Sequence, residues 1–417
     1  MKSSAPEYLA SIPTSDGVIE QGLLDIENKE RSNLFAWSGQ FSPQLVEVLL
    51  DTYAPKNAKV LDIFAGSGTV LYECGRGGLR GIAAEINPAA FYLTRAYTFM
   101  NLRPAERFQP IECVDNALSP ILMGGLELWS NVDNTGVSTT KRKLVDLWNG
   151  MEDPWAQTLS GALLVLADFG RLESATDVAR TWAKLKAIVE NLPYSPEPLD
   201  AVNCDARNLP LPQDFIDLVI TSPPYINVFN YHQQYRASTE ALGWDLLKVA
   251  KAEIGSNRKH RSNRFLTVIQ YCLDITMALS EINRVCKPSA KVVFVVGRES
   301  MVRGVRFFNG EIVGRLASRC TSLRVESRQE RSFRNRFGDL IIEDILHFGL
   351  AQSRKRHDLF NIVDARDVAA DVLRRATSGA MDATVAKDID EALNAIGEVE
   401  PSPIFCADSA RKVSLTD

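Results

Sequence analysis

The sequence predicts a doubly wound α/β fold with a mostly helical insertion and a helical C-terminal tail. Three observations carry that reading. Residues 59–85 run strand, glycine loop, helix, strand, acid; a second buried strand at 215–221 ends in Ser222-Pro223-Pro224-Tyr225; and helices alternate with strands again up to residue 350. Composition agrees, since 417 residues with 45% hydrophobic and 24% charged, 25 Gly and 19 Pro suit two or three compact units and exclude disordered, collagen-like and coiled-coil classes. No run reaches the roughly 18 uninterrupted apolar residues of a membrane span, and the opening residues lack the apolar core of a signal peptide. The expectation is therefore a cytoplasmic chain without a membrane partner.

Along the chain, FSPQLVEVLLDTYAP (41–55) reads as a helix capped by Ser42, with Pro43 in its first turn, an apolar side of Leu45, Val46, Val48, Leu49 and Leu50, and Pro55 as its stop. Lys59–Phe64 is a buried strand. Ala65-Gly66-Ser67-Gly68 follows as a loop, a helix winds from Thr69, and Leu79–Glu85 forms a second strand ending in a carboxylate. After a helix at 89–100, residues 101–200 change to helical stretches broken by Gly and Pro. Strands resume at Ala201–Asp205 and Phe215–Thr221; then come a helix at FLTVIQYCLDITMALSEINRVC, a strand at KVVFVVG, a helix at EIVGRLASRC, and a closing strand pair at LRVESRQ and EDILHFG. The organisation is 1–100 as N-terminal segment and first half of the sheet, 101–200 as helical insertion, 201–350 as second half, and 351–417 as helical tail.

Glycine lets backbone approach a ligand, and a carboxylate 17 residues after Gly68 can accept hydrogen bonds from ribose hydroxyls. The third glycine of a dinucleotide fingerprint would fall at Leu71, and no Gly-Lys-Ser/Thr follows the loop, so a pyrophosphate and a Walker cradle both fit badly. A cofactor with adenosine but without phosphates remains. Seven cysteines without a CxxC pair and four histidines without ligand spacing argue against a disulfide framework and a metal site. Ser222-Pro223-Pro224-Tyr225 is more specific. Two prolines lock the backbone and donate no N–H, leaving carbonyl acceptors beside a hydroxyl and an aromatic face, which together can orient an exocyclic amino group. The same tetrapeptide also fits a tight strand-ending turn in which Tyr225 only packs.

Taken together, FSPQ (41–44), LDIFAGSGT (61–69), AAEINP (83–88), NCDARNLP (203–210) and ITSPPY (220–225) resemble the amino-methyltransferases of DNA. The resemblance implies a seven-strand Rossmann-like sheet, S-adenosyl-L-methionine as cofactor, no metal, double-stranded DNA as partner, and transfer to N4 of cytosine or N6 of adenine. A partner restriction endonuclease is compatible with it. Carried over to this chain, Asp62, Phe64, Ala65, Gly66, Gly68, Thr69, Glu85, Ile86, Asp205 and Ala206 form the cofactor site, with Glu85 on ribose and Asp205 facing the adenine amino group. Ser222, Pro223, Pro224 and Tyr225 form the catalytic loop. Ser at the first loop position resembles the cytosine-N4 branch. No cysteine follows a proline, which excludes C5-cytosine chemistry, and Ser222 cannot pair with a side-chain amide as the Asn of glutamine methyltransferases does. An RNA amino-methyltransferase and a non-catalytic binding subunit are the rival readings.

Charge is uneven. Residues 226–336 hold 20 Lys/Arg against 9 Asp/Glu, whereas 1–225 hold 18 against 28 and 337–417 hold 9 against 15. Such a block fits a phosphate-facing surface or a merely solvated one. Within it, Arg258, Lys259, Arg261 and Arg264 sit among loop formers and are the expected DNA contacts, with Arg328, Arg331, Arg334 and Arg336 as a second cluster. The insertion, with 9 basic against 14 acidic residues, is a poor DNA reader.

Overall fold

The computed structural model of the chain describes residues 6–14, 18–128, 134–226, 231–255, 260, 262–335, 338–351, 361–376 and 382–407. Within these, the strands are β1 (Lys59–Asp62), β2 (Arg80–Ala84), β3 (Leu199–Val202), β4 (Ile216–Thr221), β5 (Cys286–Gly297), β6 (Glu299–Val302), β7 (Val305–Phe308), β8 (Leu323–Arg334) and β9 (Leu340–Leu350). Seven of them form one sheet in the order β3-β2-β1-β4-β5-β9-β8, and β6 pairs with β7 in a separate hairpin that the sequence reading did not foresee. The strands β1 to β5 run parallel, and β9 lies antiparallel between β5 and β8. The expected seven-strand α/β sheet is present.

Strand residues alternate between two cores because successive side chains leave a strand on opposite faces. Val60, Leu218, Ile220, Val293 and Val295 pack on one side, with helices Pro43–Tyr53, Thr69–Arg76 and Pro88–Ala96. Leu61, Val219, Val292, Phe294 and Val296 pack on the other, against helices Phe265–Val285, Asn309–Cys320 and Ile362–Ala376. The 265–285 helix has the length and composition of a membrane span, but 78% of that window is buried in this second core.

The inserted helices Phe108–Leu128, Asn134–Asn149, Pro154–Leu166 and Ala175–Glu190 extend the first core. Tyr92 and Phe99 meet Trp148 and Trp155 edge-on, and a Cβ at Gly161 would stand 2.6 Å from the Tyr92 ring, so only glycine lets the 154–166 helix come this close. One local expectation fails. Ser42 occupies the N-cap position of the 43–53 helix with Pro43 in the first turn, but its hydroxyl makes no capping bond.

Strand order reverses between β1 and β4, so the loops leaving their C-terminal ends diverge and open a crevice between them.

Candidate cofactor cleft and catalytic loop

That crevice is a solvent-open cleft. Its floor comes from the loop after β1. Asp62 ends that strand buried, with Oδ1 accepting from the Phe64 N–H at 3.1 Å and from the Thr221 hydroxyl at 2.6 Å, which ties the ends of β1 and β4 together. Burial pushes the Asp62 carboxyl up to about 7, against the lowering effect of those two bonds. Gly66 and Gly68 have φ of 53° and 85°, in the left-handed region. A Cβ on Gly68 would lie 2.9 Å from Thr94 Cγ2 and 3.0 Å from its Cα, so positive φ and close packing both require glycine there.

Glu85 follows β2 and is 9% exposed. Its Oε2 accepts from the Gly66 N–H and its Oε1 from the Asn87 N–H, each at 2.7 Å, so the acid also pins the glycine loop. Burial pushes it up to about 8, with the charges of Asp62 and Glu253 adding and the two backbone bonds opposing. The wall beyond holds Asp205 and Ala206. Asp205 accepts from Arg207 N–H, Nε and Nη2 and from the Phe405 N–H, at 2.7 to 3.0 Å. All four acceptor positions of the carboxylate are thus used inside the protein. Arg207 also bonds Asp274 and the carbonyls of Ala252, Ser402 and Pro403, so this buried hub straps the segment after Val399 to the back of the cleft. The adenine-facing role that the resemblance implies for Asp205 would require one of these bonds to be given up.

At the far side, Ser222 and Pro224 reach the cleft. Pro223 and Tyr225 do not line it. The Tyr225 ring packs on Gly297 at the end of β5, where a Cβ would stand 3.1 Å from the ring, and its hydroxyl bonds the Ser222 side chain and the Gly297 backbone. Burial, with the nearby charge of Glu343, pushes its phenol up. The Tyr225 carbonyl lies 2.6 Å from where a Cβ on Gly255 would be, and Gly255 has φ of 75°, so the catalytic loop and the end of the 246–255 segment interlock.

Strand, glycine loop, ribose-type acid and Pro-Pro loop therefore meet at one crevice. Residues 21–96 match the DNA methylase family model. No curated protein matches the chain. Among solved structures the chain is similar to a protein of Pyrococcus horikoshii OT3, at 11% identity over 73% of this chain and 88% of that one with TM-score 0.32. It is also similar to a SAM-dependent methyltransferase of Methanosarcina mazei (12%; 73% and 98%; 0.34) and to the rRNA methyltransferase aviRa of Streptomyces viridochromogenes (13%; 85% and 99%; 0.31).

Of the residues read from the sequence, Phe64, Ala65, Gly66, Glu85, Ile86, Asp205, Ala206, Ser222 and Pro224 line the cleft. Asp62, Gly68 and Thr69 stand behind it; the Thr69 hydroxyl donates to Asn33 Oδ1 at 2.8 Å and anchors the N-terminal segment. That segment supplies what the sequence reading missed. Trp37, Ser38, Gly39, Gln40 and Phe41 line the cleft, and Gln40 accepts from the Ser67 hydroxyl at 2.7 Å. Phe41 opens the FSPQ stretch, and Trp37–Gln40 stand immediately before it. Tyr231, Ala252, Glu253 and Ile254 also line the cleft and carried no motif.

The basic segment turns out differently. Arg258, Lys259 and Arg261 lie outside the described residues, as does Arg336, and Arg264 sits half-buried at the N-cap of the 265–285 helix. Arg328 bonds Asp344 and Glu330, and Arg331, 4% exposed, pairs with Glu343 at 2.9 Å. These two arginines are held by acids and are not presented to phosphates, whereas Arg334 of the same expected cluster is exposed.

Proposed function

We propose that the chain is an S-adenosyl-L-methionine-dependent DNA amino-methyltransferase acting on N4 of cytosine in preference to N6 of adenine. The observation that carries the reading is the convergence of the glycine loop, Glu85 and the Ser222-Pro223-Pro224-Tyr225 loop on one cleft, together with the match of 21–96 to the DNA methylase model. The fit to the cofactor is chemical. Gly66 leaves room for close backbone approach, Glu85 keeps lone pairs for ribose hydroxyls, and no Lys or Arg is among the described residues that line the cleft, which suits a ligand without phosphates and with positive charge.

When bound, this cofactor supplies a methyl group on a sulfonium, whose S–C bonding pair stays on sulfur as the methyl leaves. The target base would leave the helix stack to reach Ser222 and Pro224, at a cost of a few kcal/mol. The Ser222 oxygen, which lines the cleft, would accept a hydrogen of its amino group and aim the nitrogen lone pair at the methyl carbon. The N–C bond would form directly and the N–H proton would pass to solvent water, with no covalent bond to the protein. Tyr225, its ring on Gly297 and its hydroxyl held by Ser222 and the Gly297 backbone, would brace the loop from behind. Arg258, Lys259, Arg261 and Arg264 would follow the phosphates.

The experiment is to incubate duplex DNA, transfer RNA and ribosomal RNA with label-bearing cofactor, digest to nucleosides and identify the product. N4-methylcytosine from DNA is expected. Label in RNA alone would favour the RNA reading, and cofactor binding without transfer would favour a non-catalytic subunit. On the DNA side, replacing Arg258, Lys259 and Arg261 by Ala should flatten the slope of log affinity against log salt by about two to three units.

A further inference from the structure

Glu253 follows the helix Leu246–Ala252 and lines the cleft, and its side chain is 8% exposed. Its Oε2 lies 2.6 Å from His232 Nδ1, while its Oε1 and His232 Nε2, both buried, have no hydrogen-bond partner among the described residues. The other two carboxylates of the cleft are matched: Asp205 by Arg207 and the Phe405 N–H, Glu85 by two backbone N–H groups. Among the described carboxylates lining the cleft, Glu253 is the one left with a bare oxygen, and its charge acts on Glu85. Tyr231, pushed up to about 12 mainly by burial, is raised further by Glu85 and then Glu253. A buried carboxylate oxygen without a donor is unfavourable unless a ligand completes it, and among the described lining residues no Lys or Arg can do so.

We infer that Glu253, held in place by His232, selects for positive charge in the cleft, so that the protein binds the sulfonium S-adenosylmethionine more tightly than the neutral thioether S-adenosylhomocysteine. The inference rests on the methyl-donor reading and deepens it. Methyl loss leaves sulfur neutral, so the same contact that favours the donor stops favouring the spent cofactor, which helps the product to leave. His232 is the positioning residue: with Nδ1–H donating to Oε2, it fixes the carboxylate so that Oε1 is available to the ligand.

The test is calorimetry on the full chain with S-adenosylmethionine, S-adenosylhomocysteine and sinefungin, whose amine puts a cation where the sulfonium stands. In the wild type both cations should bind more tightly than the thioether. Glu253→Gln keeps the shape and the bond to His232, and should weaken S-adenosylmethionine about tenfold or more, equal to about 1.4 kcal/mol, while S-adenosylhomocysteine changes less than twofold. His232→Asn should reduce the same ratio by a smaller factor. Equal weakening of all three ligands, or an unchanged ratio, overturns the inference and leaves the methyl-donor reading standing. A wild type that binds neither adenosyl ligand removes that reading and this inference with it. Should the variants fail to fold, the wild-type comparison of sinefungin with S-adenosylhomocysteine decides, and equal affinity refutes the selection.

Discussion

At the cleft, residues 62–69, 85 and 222–225 meet because each stretch leaves the C-terminal end of a strand, so side chains named from short motifs arrive in one place by local geometry. The basic segment 226–336 behaves otherwise. Arg298 and Arg328 reach Asp344, Arg331 reaches Glu343, Arg303 reaches Asp388 and Arg319 reaches Asp364, Asp367 and Asp371, all of them acids of the acidic stretch after residue 336. A net charge counted along the chain is thus partly cancelled across the sheet. The comparison teaches that motif chemistry survives folding because it is built on consecutive residues, while charge balance does not, since its partners are chosen by tertiary contact.

Four variants or conditions separate the two regions experimentally. The largest effect is expected at Asp344, which is fully buried and accepts from both Arg298 and Arg328 at 2.7 to 2.9 Å. Asp344→Ala takes from Arg298 and Arg328 their buried acid, leaving them only the partly exposed Glu330, and should lower stability by about 3 kcal/mol, seen as a reduced denaturant midpoint, with cofactor affinity little changed where the variant is folded. A loss of less than about 1 kcal/mol would mean that the network behaves like an exposed pair.

Gly68→Ala comes next. Its positive φ and the contact with Thr94 should cost about 1 to 3 kcal/mol of stability and, unlike Asp344→Ala, should abolish measurable cofactor binding by distorting the loop. Calorimetry on the folded variant checks it, and retained affinity would show that the loop tolerates a side chain.

The third effect is pH-dependent. Glu85 and Asp62 have folded values raised to about 8 and about 7, well above the ordinary carboxylate range near 4. Between those limits the folded state holds more protons than the unfolded one, so ligand-free stability should fall as pH rises from about 4 through 8. Glu85→Gln should flatten part of that fall in melts taken from pH 5 to 9. A cationic ligand favours ionised Glu85, so wild-type affinity for it should rise as pH passes 8. Parallel melting curves for both proteins would refute the assignment.

The smallest change is expected for Arg306→Ala. Its pair with Glu299 is half exposed, at 51% and 30% of the side chains, and the variant should stay within about 0.5 kcal/mol of wild type in denaturant unfolding. A larger loss would remove the distinction between the buried network and the surface pairs.

The sequence by itself determined the strand-loop-helix units. Continuous apolar runs buried on both faces, as at Val60 and Leu61 or Val293 and Phe294, glycine where φ is positive, and proline where a loop must be rigid are properties of neighbouring residues, legible without coordinates. Only the folded chain shows that WSGQF of the N-terminal segment lines the cleft, that Asp205 is saturated by Arg207 and the strap after Val399, that the Tyr225 ring rests on Gly297, and that His232 bonds Glu253 at the cleft wall. Phe405 stands 200 residues from the acid it bonds. No local pattern specifies such a pairing, because the residue types involved are common and their partners are selected by the way the sheet brings distant segments to the same edge.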